Sequence, residues 1–253
     1  MKVVAVVSAK GGVGKTSSTA NLAAALVQTG VRVLAVDLDP QNALGLHFGL
    51  SPSERRGSVH AAVNQRPLSA AVMTAPNGAR VLPYGAVEEE DREAFERYLD
   101  EYPHWLADTL GSLKLGKNEV VLVDTPPGPS AYLRQALGNS EMAVVVILPD
   151  AASYASLGLM AKLIASYGQH NEKFLGQVYL VNQHDSARAL ARDVLEMIKD
   201  KHSKELLGAI HQDESVGEAL ACDQSVLEYD PHCLASQDYA DCAERLCRVL
   251  GIR

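Results

Sequence analysis

The chain opens with a strand-like apolar run, Val3-Val4-Ala5-Val6-Val7, and passes directly into Ser8-Ala9-Lys10-Gly11-Gly12-Val13-Gly14-Lys15-Thr16-Ser17. The segment from Ser8 through Thr16 is a phosphate-binding loop of the G-x-x-x-x-G-K-[ST] type, with Gly14 as its second glycine. Glycines let the backbone curl so that several N–H groups converge on one anion. The Ala- and Leu-rich stretch that follows, with Gly30 as its C-terminal cap, predicts a helix whose N-terminus faces the same anion. Strand, loop, Lys-Thr and helix occur together and in order, which a chance glycine turn does not supply. Lys15 can reach β- and γ-phosphates, and the Thr16 hydroxyl can ligate magnesium.

Further apolar, β-branched runs predict strands over Val31–Val36, Ala79–Pro83, Glu119–Val123, Met142–Leu148, Val178–Asn182 and Leu207–Ile210. Helices are predicted over Lys15–Thr29, Asp91–Gly111, Ser153–Tyr167, Ala187–Lys201, Ser215–Ala221 and Ser236–Val249. Alternation of this kind predicts a doubly wound, mainly parallel sheet flanked by helices. With 253 residues the chain suits a single domain over 1–253. The region Leu50–Gly78, punctuated by Ser51-Pro52-Ser53 and Ala75-Pro76-Asn77-Gly78, reads as an excursion packed on the sheet.

Ligands of such sheets bind outside the carboxyl ends of the strands. Polar residues stand there repeatedly: Asp37-Leu38-Asp39-Pro40-Gln41, Asp124-Thr125-Pro126-Pro127-Gly128 and Asn182. Asp124 is placed to hold magnesium through a water, against the alternative of a simple helix cap. Asp39, 24 residues after Lys15, is placed to orient an attacking water or to join Thr16 and Asp124 at the metal, and Asp37 to support it. For both, strand-end capping is the alternative. Asn182 can hydrogen-bond adenine, since an amide both donates and accepts, or can be a loop asparagine. Lys10 is a second lysine where one suffices. It is either a surface charge or a residue reaching a phosphate in a neighbouring subunit, as an arginine finger does.

The formal net charge of −8 disfavours nucleic acid as a default partner. Cys222, Cys233, Cys242 and Cys247 lack metal-ligand spacing and read as free thiols of a reducing, cytoplasmic environment. Met1-Lys2 leads straight into a strand, without a signal peptide. No apolar run approaches the roughly 18–20 residues of a membrane span.

Lys10-Gly-Gly-Val-Gly-Lys-Thr16, Asp37-x-Asp39-Pro-Gln41 and Val123-Asp124-Thr-Pro-Pro127 together resemble the ParA/MinD family of deviant phosphate-loop ATPases, from Val3 to about Leu250. That resemblance implies Mg-dependent, slow ATP hydrolysis in a homodimer that sandwiches two ATPs. It implies that Lys10 acts in trans, that Asp39 is needed for hydrolysis, that Asn182 contacts the base and that Asp150 touches nucleotide across the dimer. Ile210-His211-Gln-Asp-Glu214, Ala221-Cys-Asp-Gln224 and Glu228-Tyr229 are similar to the BcsQ group, encoded with bacterial cellulose synthase. This likeness implies regulation or assembly of cellulose synthesis and secretion. It also implies a small partner, BcsR, and recruitment from the cytoplasm to the inner-membrane synthase complex, with a cell pole as one location. Some of that group have lost the loop lysine. Retention of Lys15 implies a competent ATPase. His211 stands in the base-contacting loop, where a ParA has proline.

Rival functions have their own sequence requirements. A partitioning ATPase needs a basic surface for DNA, but acids interleave with Arg188, Arg192, Lys199, Lys201 and Lys204. A MinD-like positioning ATPase needs a basic amphipathic tail, whereas Ala243–Arg253 reads as a core-packing helix. An iron–sulfur reductase needs cysteines near the switch segments, and none precedes Cys222.

Overall fold

The structure is a computed structural model that describes residues 1–64, 66–169 and 171–252. Strand β1 (Lys2–Val7) lies at the centre of an eight-stranded sheet. Its flanking neighbours are β5 (Val120–Asp124) and β6 (Met142–Ile147), both parallel to it. Beyond β5 come β2 (Val33–Asp37), β4 (Arg80–Leu82) and the two-residue β3 (Met73–Thr74). Beyond β6 come β7 (Gly176–His184) and β8 (Leu206–His211). Among the described residues, only β3 runs antiparallel to its neighbour.

The continuous Val run of β1 is explained by burial on both faces. Val4 and Val6 enter one core, and Val3, Ala5 and Val7 the other. The first core lies beneath α1 (Lys15–Gln28), α8 (Ser215–Ala221), α9 (Val226–Tyr229) and α10 (Leu234–Leu250). The second is covered by α2 (Ser58–Val63), α3 (Glu89–Glu101), α4 (Trp105–Ser112), α5 (Ala131–Asn139), α6 (Ala151–Gly168) and α7 (Ala189–His202). Gly30 ends α1 as expected: its φ is 84°, and Val31 N–H donates to the Leu26 carbonyl at 3.1 Å while Gly30 N–H donates to Val27 at 2.9 Å, a Schellman closure.

Three expectations change. The single helix over Asp91–Gly111 is two, α3 and α4, because Pro103 excludes Tyr102 from the helical region and sets it at φ −120° and ψ 79°. Neither α5 nor α9 is among the predicted helices; α5 starts where the Ser130 hydroxyl accepts from Leu133 N–H at 3.0 Å, and α9 opens on a capping box of Ser225 and Glu228. The excursion Leu50–Gly78 contributes β3 to the sheet edge. Among the described residues no helix is long and apolar enough to cross a membrane. The tail helix α10 packs on α1 and β8, as the core-packing expectation requires.

Candidate functional site

The carboxyl ends of β1, β2, β5, β7 and β8 bring the sequence-predicted residues together. Asp37 and Val6 are both register partners of Asp124. From β1 the backbone turns through Gly12 (φ 74°) into Gly14 (φ 84°), which is the N-cap of α1. Among the described residues no side chain caps this helix start. Its first-turn N–H groups are therefore presented to a ligand. The loop is braced from outside. Ser8 Oγ donates to the Lys10 carbonyl at 2.6 Å, Gly128 N–H donates to the Ser8 carbonyl at 3.1 Å, and Asn182 Nδ2 donates to the Val13 carbonyl at 2.9 Å.

Lys15 is buried, and among the described residues no carboxylate lies within 4.0 Å of its ammonium. A buried cation without a counter-ion is costly, and an anion in the loop relieves it. Thr16 Oγ1 donates to Asp124 Oδ2 at 2.6 Å, and Thr19 Oγ1 to Asp124 Oδ1 at 3.4 Å. Burial pushes the Asp124 carboxyl up to about 6, with Asp39 adding to the rise and the Thr16 hydroxyl and Lys15 opposing it. Asp37 is fully buried and also raised, by burial first and then by Asp124. Its oxygens accept from Asp39 N–H at 2.9 Å and Leu44 N–H at 3.0 Å. It therefore organises the loop that carries Asp39. Asp39 Oδ1 in turn accepts from Gln41 N–H at 3.0 Å. Uncapped loop amides, a buried lysine that no carboxylate contacts among the described residues, and a hydroxyl–carboxylate pair together fit a nucleotide phosphate with a divalent cation. Among the described residues there is no cluster of three His, Cys, Asp or Glu side chains that forms an all-protein metal site.

Lys10 Nζ lies 3.7 Å from Asp150 Oδ2, and each side chain is 38% exposed. Asp150 Oδ1 accepts from Ser153 N–H at 2.6 Å as the N-cap of α6. Within one chain these two residues thus contact each other. A cleft of about 590 Å³ opens beside Gly14 and Ser17, walled by Asn182, Gln183, His211 and Asp213. Asn182 lies inside β7 and not at its end, because the strand continues through a bulge to His184. Sequence reasoning missed Thr19, Gln183 and Asp213. Thr19 has a signal, its i, i+3 spacing from Thr16 on α1. Gln183, at φ 55°, has none, because only the bulge places it at the cleft.

An open parallel sheet with this loop at its central strand defines a P-loop nucleotide-binding protein. Residues 1–247 match the family described as "Cellulose biosynthesis protein BcsQ". The chain belongs to the BcsQ family, within the ParA/MinD-like P-loop ATPases. It is 28% identical to the chromosome partitioning protein ParA of Caulobacter vibrioides, over 97% of this chain and 94% of that one. It is 27% identical to the cellulose biosynthesis protein BcsQ of Escherichia coli, over 94% and 91%. Among solved structures, the septum site-determining protein MinD of Pyrococcus horikoshii, complexed with Mg-ADP, has a TM-score of 0.77 at 25% identity and covers 99% of this chain and 98% of that one.

Proposed function

We propose that the chain binds ATP with magnesium, forms a face-to-face homodimer around two nucleotides, hydrolyses them slowly, and in that way regulates or assembles bacterial cellulose synthesis and secretion. The observation that carries the nucleotide reading is Lys15, a buried cation that among the described residues has no carboxylate within 4.0 Å, beside a helix start without a side-chain cap. Membership of the BcsQ family supports the cellulose role. The Mg-ADP bound to the Pyrococcus horikoshii MinD supports the cofactor assignment.

In this reading the amides of Gly11 through Ser17 bind the phosphates, and Lys15 neutralises the β/γ charge. Thr16, Asp124 and Asp39 are the residues that would hold magnesium, which when bound would supply charge neutralisation at the transferring phosphoryl group. Asp39 accepts a hydrogen bond from the attacking water and orients it. Lys10 leaves Asp150 and stabilises the developing charge in the partner subunit, while Asp150 is freed to approach nucleotide across the interface. Asn182 and His211 bind the nucleoside in the cleft. The protein works in the cytoplasm and joins the inner-membrane cellulose synthase complex, at a cell pole among other places, with a small BcsR-like protein as partner.

Calorimetric titration of ATP into wild type and Lys15→Ala tests the site. The variant is expected to fold and to lose binding; unchanged affinity refutes the assignment. The ParA relative supports a second reading, DNA partitioning. With a net charge of −8 the expected affinity for duplex DNA is weak at physiological salt. Submicromolar, ATP-dependent binding to nonspecific duplex favours partitioning.

A further inference from the structure

One long stretch of this acidic chain is cationic. From Arg55 through Val87 there is no Asp or Glu, in a protein that carries 31 of them and a net charge of −8, while Arg55, Arg56, Arg66 and Arg80 all fall within it. Three of those arginines edge a cavity of about 480 Å³ between α2 and the 3₁₀ turn Leu68–Ala70. Gly57, Ala61, Ala70 and Ala71 form an apolar floor, and among the described residues no carboxylate lines the space. Arg56 is already committed: its Nη2 and Nε donate to the two Glu54 oxygens at 2.8 and 3.1 Å. Arg80 points elsewhere and donates to Glu119 Oε2 at 2.7 Å. Among the described residues no carboxylate lies within 4.0 Å of Arg55 or Arg66. Two guanidinium forks above an apolar floor suit a ligand divided in the same way, an anionic head on an apolar body. The volume falls in the range of small-molecule pockets, roughly 300–1,000 Å³. A duplex presents a convex row of phosphates, which a cavity of this size does not follow.

The wall of this cavity is sewn to the loop that carries Asp39. Ser58 N–H donates to the Pro83 carbonyl at 2.9 Å, Ala86 N–H to the Glu54 carbonyl at 2.7 Å, and His60 Nε2 to the Ala86 carbonyl at 3.2 Å. The two segments approach so closely that a Cβ on Gly57 would lie 2.3 Å from the Tyr84 carbonyl oxygen. Between those contacts Gly85 N–H donates to Asn42 Oδ1 at 3.0 Å, and Asn42 N–H donates to the Asp39 carbonyl at 2.9 Å. Asn42 sits at φ 50°, in the left-handed region that its short amide side chain tolerates. We propose that the cavity is a second ligand site, for a phosphomonoester with an apolar or aromatic body, and that its occupancy is transmitted through Gly85 and Asn42 to the Asp39 loop. Above pH 7 such an ester carries about two negative charges, one for each uncommitted guanidinium. Its body covers the floor that Gly57, Ala61, Ala70 and Ala71 leave open. A head group that draws Arg55 inward pulls on the backbone leading into Gly57, and so on the Pro83–Ala86 segment bonded to it. This site lies apart from the phosphate loop and does not depend on the nucleotide reading.

The test titrates phenyl phosphate into the full chain at pH 8 with excess Mg-ADP and follows the backbone amide spectrum. Saturable shifts are expected at Gly57, Ala61 and Ala71, and with the same midpoint at Gly85 and Asn42. Arg55→Gln and Arg66→Gln, both at exposed positions, are expected to weaken phenyl phosphate about tenfold or more. Lys15→Ala, titrated without nucleotide, is expected to bind phenyl phosphate as wild type does. Inorganic phosphate, which lacks the body, and benzoate, which lacks the second charge, are each expected to bind about tenfold more weakly. Asn42→Gly, which keeps the backbone conformation and removes the amide, is expected to retain phenyl phosphate affinity and to lose the shifts at Asp39 and Gln41. Absence of saturable shifts at the floor, undiminished binding in both arginine variants, or inorganic phosphate binding as tightly as phenyl phosphate overturns the site. Nonspecific duplex DNA shifting the same amides at lower concentration than phenyl phosphate overturns the small-ligand assignment in favour of a nucleic-acid face. Failure of wild type to bind Mg-ADP, with the phenyl phosphate shifts intact, overturns the nucleotide reading and leaves this site standing.

Discussion

Replacing Lys10 with alanine separates the reaction of one chain from the reaction of two. Among the described residues of the single chain, Lys10 pairs with Asp150 alone, at 3.7 Å, with both side chains well exposed. Such a pair contributes about 0–1 kcal/mol to stability, so the variant should fold and melt within a few degrees of wild type. Monomeric ATP affinity should change less than a few-fold, since Lys15, Thr16 and the loop amides are untouched. In the proposed face-to-face dimer each Lys10 would instead meet a phosphate of the opposite subunit. A charge-assisted bond is worth about 1.5–3 kcal/mol. Two-fold symmetry doubles it, so the dimer should lose about 3–6 kcal/mol, or about 10²- to 10⁴-fold in association constant. Sedimentation velocity with a non-hydrolysable ATP analogue reads the association, and calorimetry on dilute protein reads monomer binding. An undiminished dimer refutes the trans role and the sandwich with it. A monomer whose own ATP affinity collapses shows that Lys10 serves its own site.

Asp39→Ala is expected to bind ATP with little loss, to hydrolyse it far more slowly and to persist as a dimer; wild-type turnover in a phosphate-release assay removes Asp39 from catalysis. Gly14→Ala should fold but lose at least tenfold in ATP affinity, because a Cβ there sits 2.2 Å from Asn182 Nδ2 at a φ of 84° and drives that amide off the Val13 carbonyl; calorimetry beside circular dichroism checks it. Burial holds the His47 imidazole down at about 4, below its unfolded value of 6.5. Its stabilising contribution is therefore complete above pH 6.5 and falls as pH drops towards 4, by about 2–3 kcal/mol at pH 4.5. His47→Leu should flatten this part of the urea-measured stability profile; an unchanged slope refutes it.

The nucleotide end of the fold was legible because its chemistry is local. A glycine loop between a Val run and a helix, and carboxylates closing two further apolar runs, announce themselves by sequence order alone. Pro103 was equally visible, yet the amphipathic pattern around it predicted one helix where the backbone makes two. β3 escaped because two edge residues carry no periodicity. The cleft was the least legible part. The Asp238 carboxylate accepts from His211 N–H, 27 residues earlier, across the packing of α10 on β8, and no local pattern encodes that contact. Asp37 shows the converse: a carboxylate at a strand end invites a metal role, while its neighbours' N–H groups have claimed both of its oxygens.

The carboxylate of Asp150 serves two clients with different needs. One oxygen closes the first turn of α6, where any side-chain acceptor suffices; the other faces the Lys10 ammonium, where the negative charge matters. An asparagine would satisfy the first and abandon the second. A single-base change in this codon can therefore detune the restraint on Lys10 without disturbing α6. Under the proposed trans role of Lys10, descendants of this chain have a route to altered association that leaves their scaffold intact, and drift at this position would be readable as a change in how readily two copies meet.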